Sequence, residues 1–299
     1  VLFRSGNFSS DQAVPTSTAT EIGKLNRRYG ISSSGFGVYN WHKNDERFDP
    51  VKNPNEPHLF GWVVEIDPYN PRSVPVKRTA LGRFKHEAAC IDPRTGVVYL
   101  TEDVGDGCLY RFTPDRYPDL SAGRLDVASV DDTTGTVSWI AVPDPQFTGA
   151  TPTRKQVAEA TKFRRGEGMW FDEGNVYFST TQDDRVYVYH PESALLEVLY
   201  DGVALGDDAP LHDTDNVTVS PISGDLFVCE DPGGTLTEGL QICIISTEGE
   251  VAAFVETTVD GHANSELTGP VFDPTGNRLY FSSQRAKFAG EATDRKSVV

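Results

Sequence analysis

Four acidic residues recur at matched places in the chain. Glu87, Glu167, Asp215 and Glu266 stand 9, 7, 9 and 10 residues before Gly96, Gly174, Gly224 and Gly276. A second set of oxygen donors follows each glycine: Glu102 and Asp103, Gln182 and Asp183, Glu230 and Asp231, and Gln284. Carboxylates and amides without clustered His or Cys suit Ca²⁺, or a harder and higher-valent cation, rather than Zn²⁺. So many carboxylates cannot all stay ionised in one narrow pocket without compensating charge. Either cations bind or several pKa values rise. Asp92, Asp172, Asp225 and Asp273, near the same glycines, read as ordinary turn formers.

Arg165 precedes Glu167 by two residues, so on a strand both side chains point to the same side. Beside a ring of metal-bound carboxylates, a guanidinium offers a bidentate partner for a phosphoryl group, whose P–O bonds the metals polarise. Residue types alone leave a second reading open, in which Arg165 simply neutralises the carboxylates.

These residues can act together only if the chain brings them together, and a repeat supplies the means. The unit reads HEAACIDPRTGVVYLTED at 86–103, GEGMWFDEGNVYFSTTQDD at 166–184, TDNVTVSPISGDLFVCEDP at 214–232 and SELTGPVFDPTGNRLYFSSQR at 265–285. Its turn glycines are separated by 78, 50 and 52 residues. Third strands are expected at 108–115, 185–193 and 240–249, and fourth strands at 136–142, 195–200 and 251–255, all rich in branched and aromatic residues. Four antiparallel strands in about 50 residues make a β-propeller blade.

The fold class is therefore all-β, with three full blades and the inner half of a fourth. Stretches 60–67 and 76–81 read as outer strands of a blade whose inner half lies upstream, and 16–57 as a long loop. Segment 115–153 reads as an insertion, followed by a short helix over 154–162 with Thr153 as N-cap. The expected domain is a single propeller over 6–293, incomplete at both ends, with 1–5 and 294–299 foreign to it. Where strand one of a blade begins and strand two ends, the chain emerges on one face. The acids thus gather around one mouth. His86 abuts Glu87, faces the opposite way, and is expected to pack between blades. Asn216-Val217-Thr218 matches a glycosylation acceptor but falls inside an inner strand, where a glycan has no room.

Composition narrows the classes further. The chain has 299 residues, 27 Lys+Arg against 44 Asp+Glu and a net charge of −17, with 38% hydrophobic and 10% aromatic residues, which excludes a disordered chain. Lys/Arg clusters for nucleic acid and runs of 18 apolar residues for a membrane span are both absent from the sequence. Cys90, Cys108, Cys229 and Cys243 form no C-x-x-C pair. Cys229 and Cys243 could meet across a hairpin, although buried free thiols are the preferred reading.

The stretches GWVVEIDP (61–68), PVKRTALGRFKHEAA (75–89), VVYLTED (97–103), ATKFRRGEG (160–168), DNVTVSP (215–221) and ELTGPVFDPTG (266–276) resemble, in order, the PhoX-type alkaline phosphatases. The resemblance implies a six-bladed, monomeric propeller exported to the periplasm or cell surface. It implies hydrolysis of small phosphate monoesters with Ca²⁺ and Fe³⁺ at one end of the channel. By it, Glu87 and Glu167 are metal ligands, Asp103 and Asp215 the next, and Glu102, Glu230 and Glu266 further candidates. Arg165 grips the phosphate and, with Glu167, forms the catalytic pair. The family's cysteine ligand for iron sits in a stretch resembling TPWGTWLTCEE, which nothing here matches; Gly6-Asn7-Phe8 would follow it. Two rivals stand beside this reading. One is a calcium-dependent lactonase or sugar-ester hydrolase, suggested by Glu167-Gly168-Met169-Trp170-Phe171 and needing no Arg165. The other is a non-enzymatic calcium-binding propeller.

Overall fold

A computed structural model of the chain describes residues 2–3, 61–70, 72–148, 151–232, 239–258, 261–262, 265–284 and 297–298. The loop expected at 16–57 lies outside them. The chain divides into two compact units, one of residues 1–86, 112–126 and 141–158, the other of 87–111, 127–140 and 159–299.

In the first unit, β1 (Leu2–Phe3), β2 (Val64–Glu65) and β3 (Val76–Lys77) form a small antiparallel sheet. The outer strands expected at 60–67 and 76–81 shrink to these two-residue pieces, because the chain turns into a 3₁₀ helix at Thr79–Leu81. The helix expected at 154–162 is likewise reduced to one 3₁₀ turn, Thr153–Lys155. Thr153 does not cap it: its hydroxyl donates to the Arg83 carbonyl at 2.7 Å. His86 belongs to this unit and is buried. A carbonyl can only accept, so His86 donates from Nε2 to the Gly82 oxygen at 3.0 Å, with its ring 3.6 Å from that of Phe84.

The other strands form four blade sheets, whose residues fall in the second unit except for His86, 112–116, 119–126 and Ala141. β4 (His86–Ile91), β5 (Val98–Glu102), β6 (Leu109–Arg116), β7 (Asp119–Val130) and β8 (Val137–Ala141) lie in that order in one sheet. β9 (Gly166–Asp172), β10 (Asn175–Thr180), β11 (Arg185–His190) and β12 (Leu195–Asp201) form the next. β13 (Thr214–Val219), β14 (Leu226–Glu230), β15 (Gln241–Ile245) and β16 (Val251–Glu256) form a third. β17 (Glu266–Phe272), β18 (Leu279–Gln284) and β19 (Ser297–Val298) form a fourth, of three strands. The four glycines that open the second strands have φ between 72° and 94°, a left-handed backbone that glycine adopts without steric cost.

Successive sheets pack through continuous apolar layers. Tyr99, Leu109 and Val137 meet Met169, Phe178 and Tyr187; Val186 and Tyr200 meet Val217, Val228 and Cys243; Phe227, Cys229 and Ile242 meet Leu267. Each middle sheet is thus buried on both faces, which is blade packing, and the fold is an all-β propeller. The register pairs Val228 with Cys243 and Cys229 with Ile242, so the two thiols enter different layers. No bridge joins them: all four cysteines are free and buried.

The first blade differs from the sequence expectation. The stretch read as an insertion contains β7, and the strand near 136–142 becomes the fifth of its sheet. The outer half of β7 is exposed and polar (Asp119, Ser121, Arg124), and so reads as loop in sequence.

Candidate metal centre

The inner strands carry one acid each at or near their start: Glu87 in β4, Glu167 in β9, Asp215 in β13 and Glu266 in β17. Two acids just past the second strands complete two triads. Carboxylate oxygens of Glu87, Asp103 and Glu167 lie within 4.8 Å of one another, as do those of Asp215, Asp231 and Glu266.

Gly168 brings the two triads near each other. A Cβ there would stand 2.5 Å from Asn216 Cα and 2.7 Å from both Asp215 O and Val217 N. Only glycine lets β9 and β13 approach so closely. Asn216 then braces β13 against β17, its Oδ1 accepting from Thr268 Oγ1 at 3.1 Å and Gly269 N at 2.9 Å. Its Nδ2 donates to Asp215 Oδ1 at 2.5 Å and so orients that ligand candidate. The glycosylation-type triplet is therefore enclosed: Val217 and Thr218 are buried. Gln284 Nε2 donates to Glu266 Oε1.

Arg165 stands at the edge of the first triad. Its Nε donates to Asp103 Oδ1 at 2.8 Å and its Nη2 to Glu167 Oε1 at 2.9 Å, while the side chain stays 38% exposed. Its backbone is left-handed, φ 58°, fixed by Arg165 N to Val104 O at 3.0 Å and Thr181 N to Arg165 O at 3.0 Å. Burial pulls its pKa down, but the charges of Asp103, Glu167 and Asp231 outweigh that, and the net shift is upward. Glu167 moves well above the usual carboxylate range. Burial is the main cause, Asp215, Glu87 and Asp103 add to it, and Arg165 opposes it. Glu167 therefore feels acids of both triads.

Two expected acids stand apart from the triads. Glu102 accepts from Tyr110 OH at 2.8 Å and Cys108 N at 3.3 Å. Glu230 accepts from His212 N at 3.0 Å and Gln241 N at 2.8 Å. The reason is alternation: in each Glu-Asp pair, neighbouring side chains leave the strand in opposite directions. The aspartate faces the triad and the glutamate braces its own blade. Asp231, one of the oxygen donors that follow the turn glycines but not one of the ligands the resemblance implies, takes the place that Asp103 has one triad away. The shared T-E-D and C-E-D endings were the signal for it.

The donors of both triads are carboxylate oxygens, a set that fits calcium. The thiolate that the resemblance gives to iron is not among them.

A family model described as alkaline phosphatase PhoX matches residues 7–287. The chain belongs to the PhoX alkaline phosphatase family. Among solved structures, Pseudomonas fluorescens PhoX in complex with vanadate, a transition state analogue, is 23% identical with a TM-score of 0.69. The match covers 99% of this chain and 66% of that one, so the chain spans just under two thirds of that PhoX. At this identity the likeness speaks for the fold. A nidogen/laminin complex matches more remotely, at 13% identity and a TM-score of 0.47, over 75% of this chain and 70% of that one, and carries no argument. No curated protein matches the chain.

Proposed function

We propose that the chain carries a metal-dependent phosphomonoesterase site of the PhoX kind, acting on small phosphate monoesters. Arg165 is the observation behind this reading. A charged guanidinium at the open edge of a carboxylate triad can exchange its carboxylate partners for two phosphoryl oxygens. Glu87, Asp103 and Glu167 would hold one calcium ion, and Asp215, Asp231 and Glu266 another. Bound there, calcium supplies the Lewis acidity that polarises the P–O bonds.

The chain's own groups do the positioning. Arg165 orients the phosphoryl group and stabilises the charge spread over its oxygens during transfer. Glu167 contacts Arg165 and belongs to the triad, so it fixes the guanidinium relative to the cation. Hydrolysis of phosphate monoesters is among the slowest uncatalysed reactions, so stabilisation from several fixed groups suits it better than one acid or base. Iron, export to the periplasm or cell exterior, and action as a monomer rest on the family resemblance alone. A lactonase would have no use for Arg165.

The test is release of p-nitrophenol from its phosphate ester at alkaline pH in the presence of calcium. Turnover is expected to vanish with a calcium chelator and to fall steeply in Arg165→Ala. Lactone turnover that survives Arg165→Ala, or no calcium-dependent phosphate release, overturns the proposal.

A further inference from the structure

One hydroxyl bonds the backbone at or beside two members of the first triad and stands two residues before the third. Thr101, in β5, is buried. Its Oγ1 donates to the Glu167 carbonyl at 2.5 Å and accepts from the Ala88 N–H at 3.0 Å. Ala88 directly follows Glu87, and Asp103 lies two residues beyond Thr101. The three chain segments that supply the triad therefore meet at a single oxygen atom.

The arrangement recurs one blade further on. Thr101 and Ser179 each stand five residues after a turn glycine, Gly96 and Gly174. Ser179 Oγ donates to the Asp215 carbonyl. The third such position, five residues after Gly224, is Cys229, which packs in the apolar layer with Leu267. There Glu266 is steadied by Gln284 instead.

We infer that the Thr101 hydroxyl is a positioning device that holds Glu87, Asp103 and Glu167 at the spacing a cation requires, with Ser179 doing the same for Asp215. This rests on the metal reading above. A hydroxyl donates once and accepts as well, so one side chain serves two strands of neighbouring blades. Valine has the same shape but does neither, and it leaves a buried carbonyl and a half-buried N–H to find other partners. Calcium–oxygen bonds span only about 2.3–2.6 Å, so ligands released by a few tenths of an ångström bind it less well. Supporting contacts behind metal ligands typically change metal affinity about 10–100-fold.

Calcium titration by calorimetry on the whole chain tests this. Thr101→Val is expected to weaken calcium binding about 10-fold or more, and Thr101→Ser to restore it to within roughly 3-fold. Thr218→Val is the control: that hydroxyl is equally buried on an inner strand and has no hydrogen-bond partner among the described residues. It should leave the affinity unchanged. Where Thr101→Val does not fold, Ser179→Ala decides, with a similar loss expected. Wild-type affinity in the deciding variant, an equal loss in Thr218→Val, or no rescue by serine overturns the inference alone. A wild-type chain that binds no calcium overturns the metal reading, and the inference with it.

Discussion

Arg165 Nε lies 2.8 Å from Asp103 Oδ1, a contact between residues 62 apart in sequence. The same guanidinium holds Glu167 Oε1 at 2.9 Å. Arg165 therefore occupies, with its own charge, carboxylates that a cation would also seek. Arg165→Ala should raise calcium affinity by about 3–10-fold while lowering kcat/KM for a phosphate ester about 100-fold. Calorimetry and steady-state kinetics on the same preparation check both. A merely neutralising arginine would show the first effect without the second.

Gly168→Ala should destabilise the protein by about 3 kcal/mol, because the three nearest atoms a new Cβ would meet belong to the backbone of β13 and cannot rotate away. Urea unfolding measures the loss. Calcium binding should weaken with it, since pushing β9 away from β13 displaces Glu167 relative to Glu87 and Asp103 and Asp215 relative to Asp231 and Glu266.

Asp231 and Glu230 are neighbours with opposite duties. Asp231→Asn should weaken calcium binding about 10-fold with little change in Tm, as it removes charge from a triad oxygen. Glu230→Gln should lower Tm and leave calcium affinity nearly intact. Its two oxygens already serve the His212 and Gln241 amides. Reversal of this pattern would move the centre to the other side of β14.

His86 sets an acid limit on stability. Its pKa falls from 6.5 to about 4, because burial disfavours the charged ring more than the Gly82 carbonyl favours it. Below pH 6.5 the unfolded chain takes up a proton that the folded chain refuses. Stability therefore falls as pH drops from 6.5 towards 4, by about 3 kcal/mol in all. The difference in unfolding free energy between wild type and His86→Phe, followed across that range, should change by this amount. A flat difference would mean that His86 titrates normally in the fold.

Much of the blade pattern is legible in the sequence because two local rules carry it. A glycine must occupy the left-handed turn of each inner hairpin, and acids sit at fixed distances from it. Those rules bring out Glu87, Glu167, Asp215 and Glu266. What escapes depends on direction rather than position. Glu102 and Asp103 differ by one residue yet face different neighbours, and composition cannot say which faces the triad. The alternation rule, applied to C-E-D as to T-E-D, picks out Asp231 but must first know where the strand ends. Cys229 and Cys243 could meet across a hairpin by spacing, but the preferred reading of buried thiols holds, because the register places them in different layers. β7 escapes because its outer half is solvent-facing, and an exposed polar strand has the composition of a loop.

The φ of 58° at Arg165 has a consequence for how such a chain can change over time. A long side chain is held in a conformation that glycine or asparagine adopts at lower energy, so the wild-type residue is the costly choice for the backbone. Were Arg165 released from the phosphate-binding role proposed above, either of those residues would relieve this strain at its place.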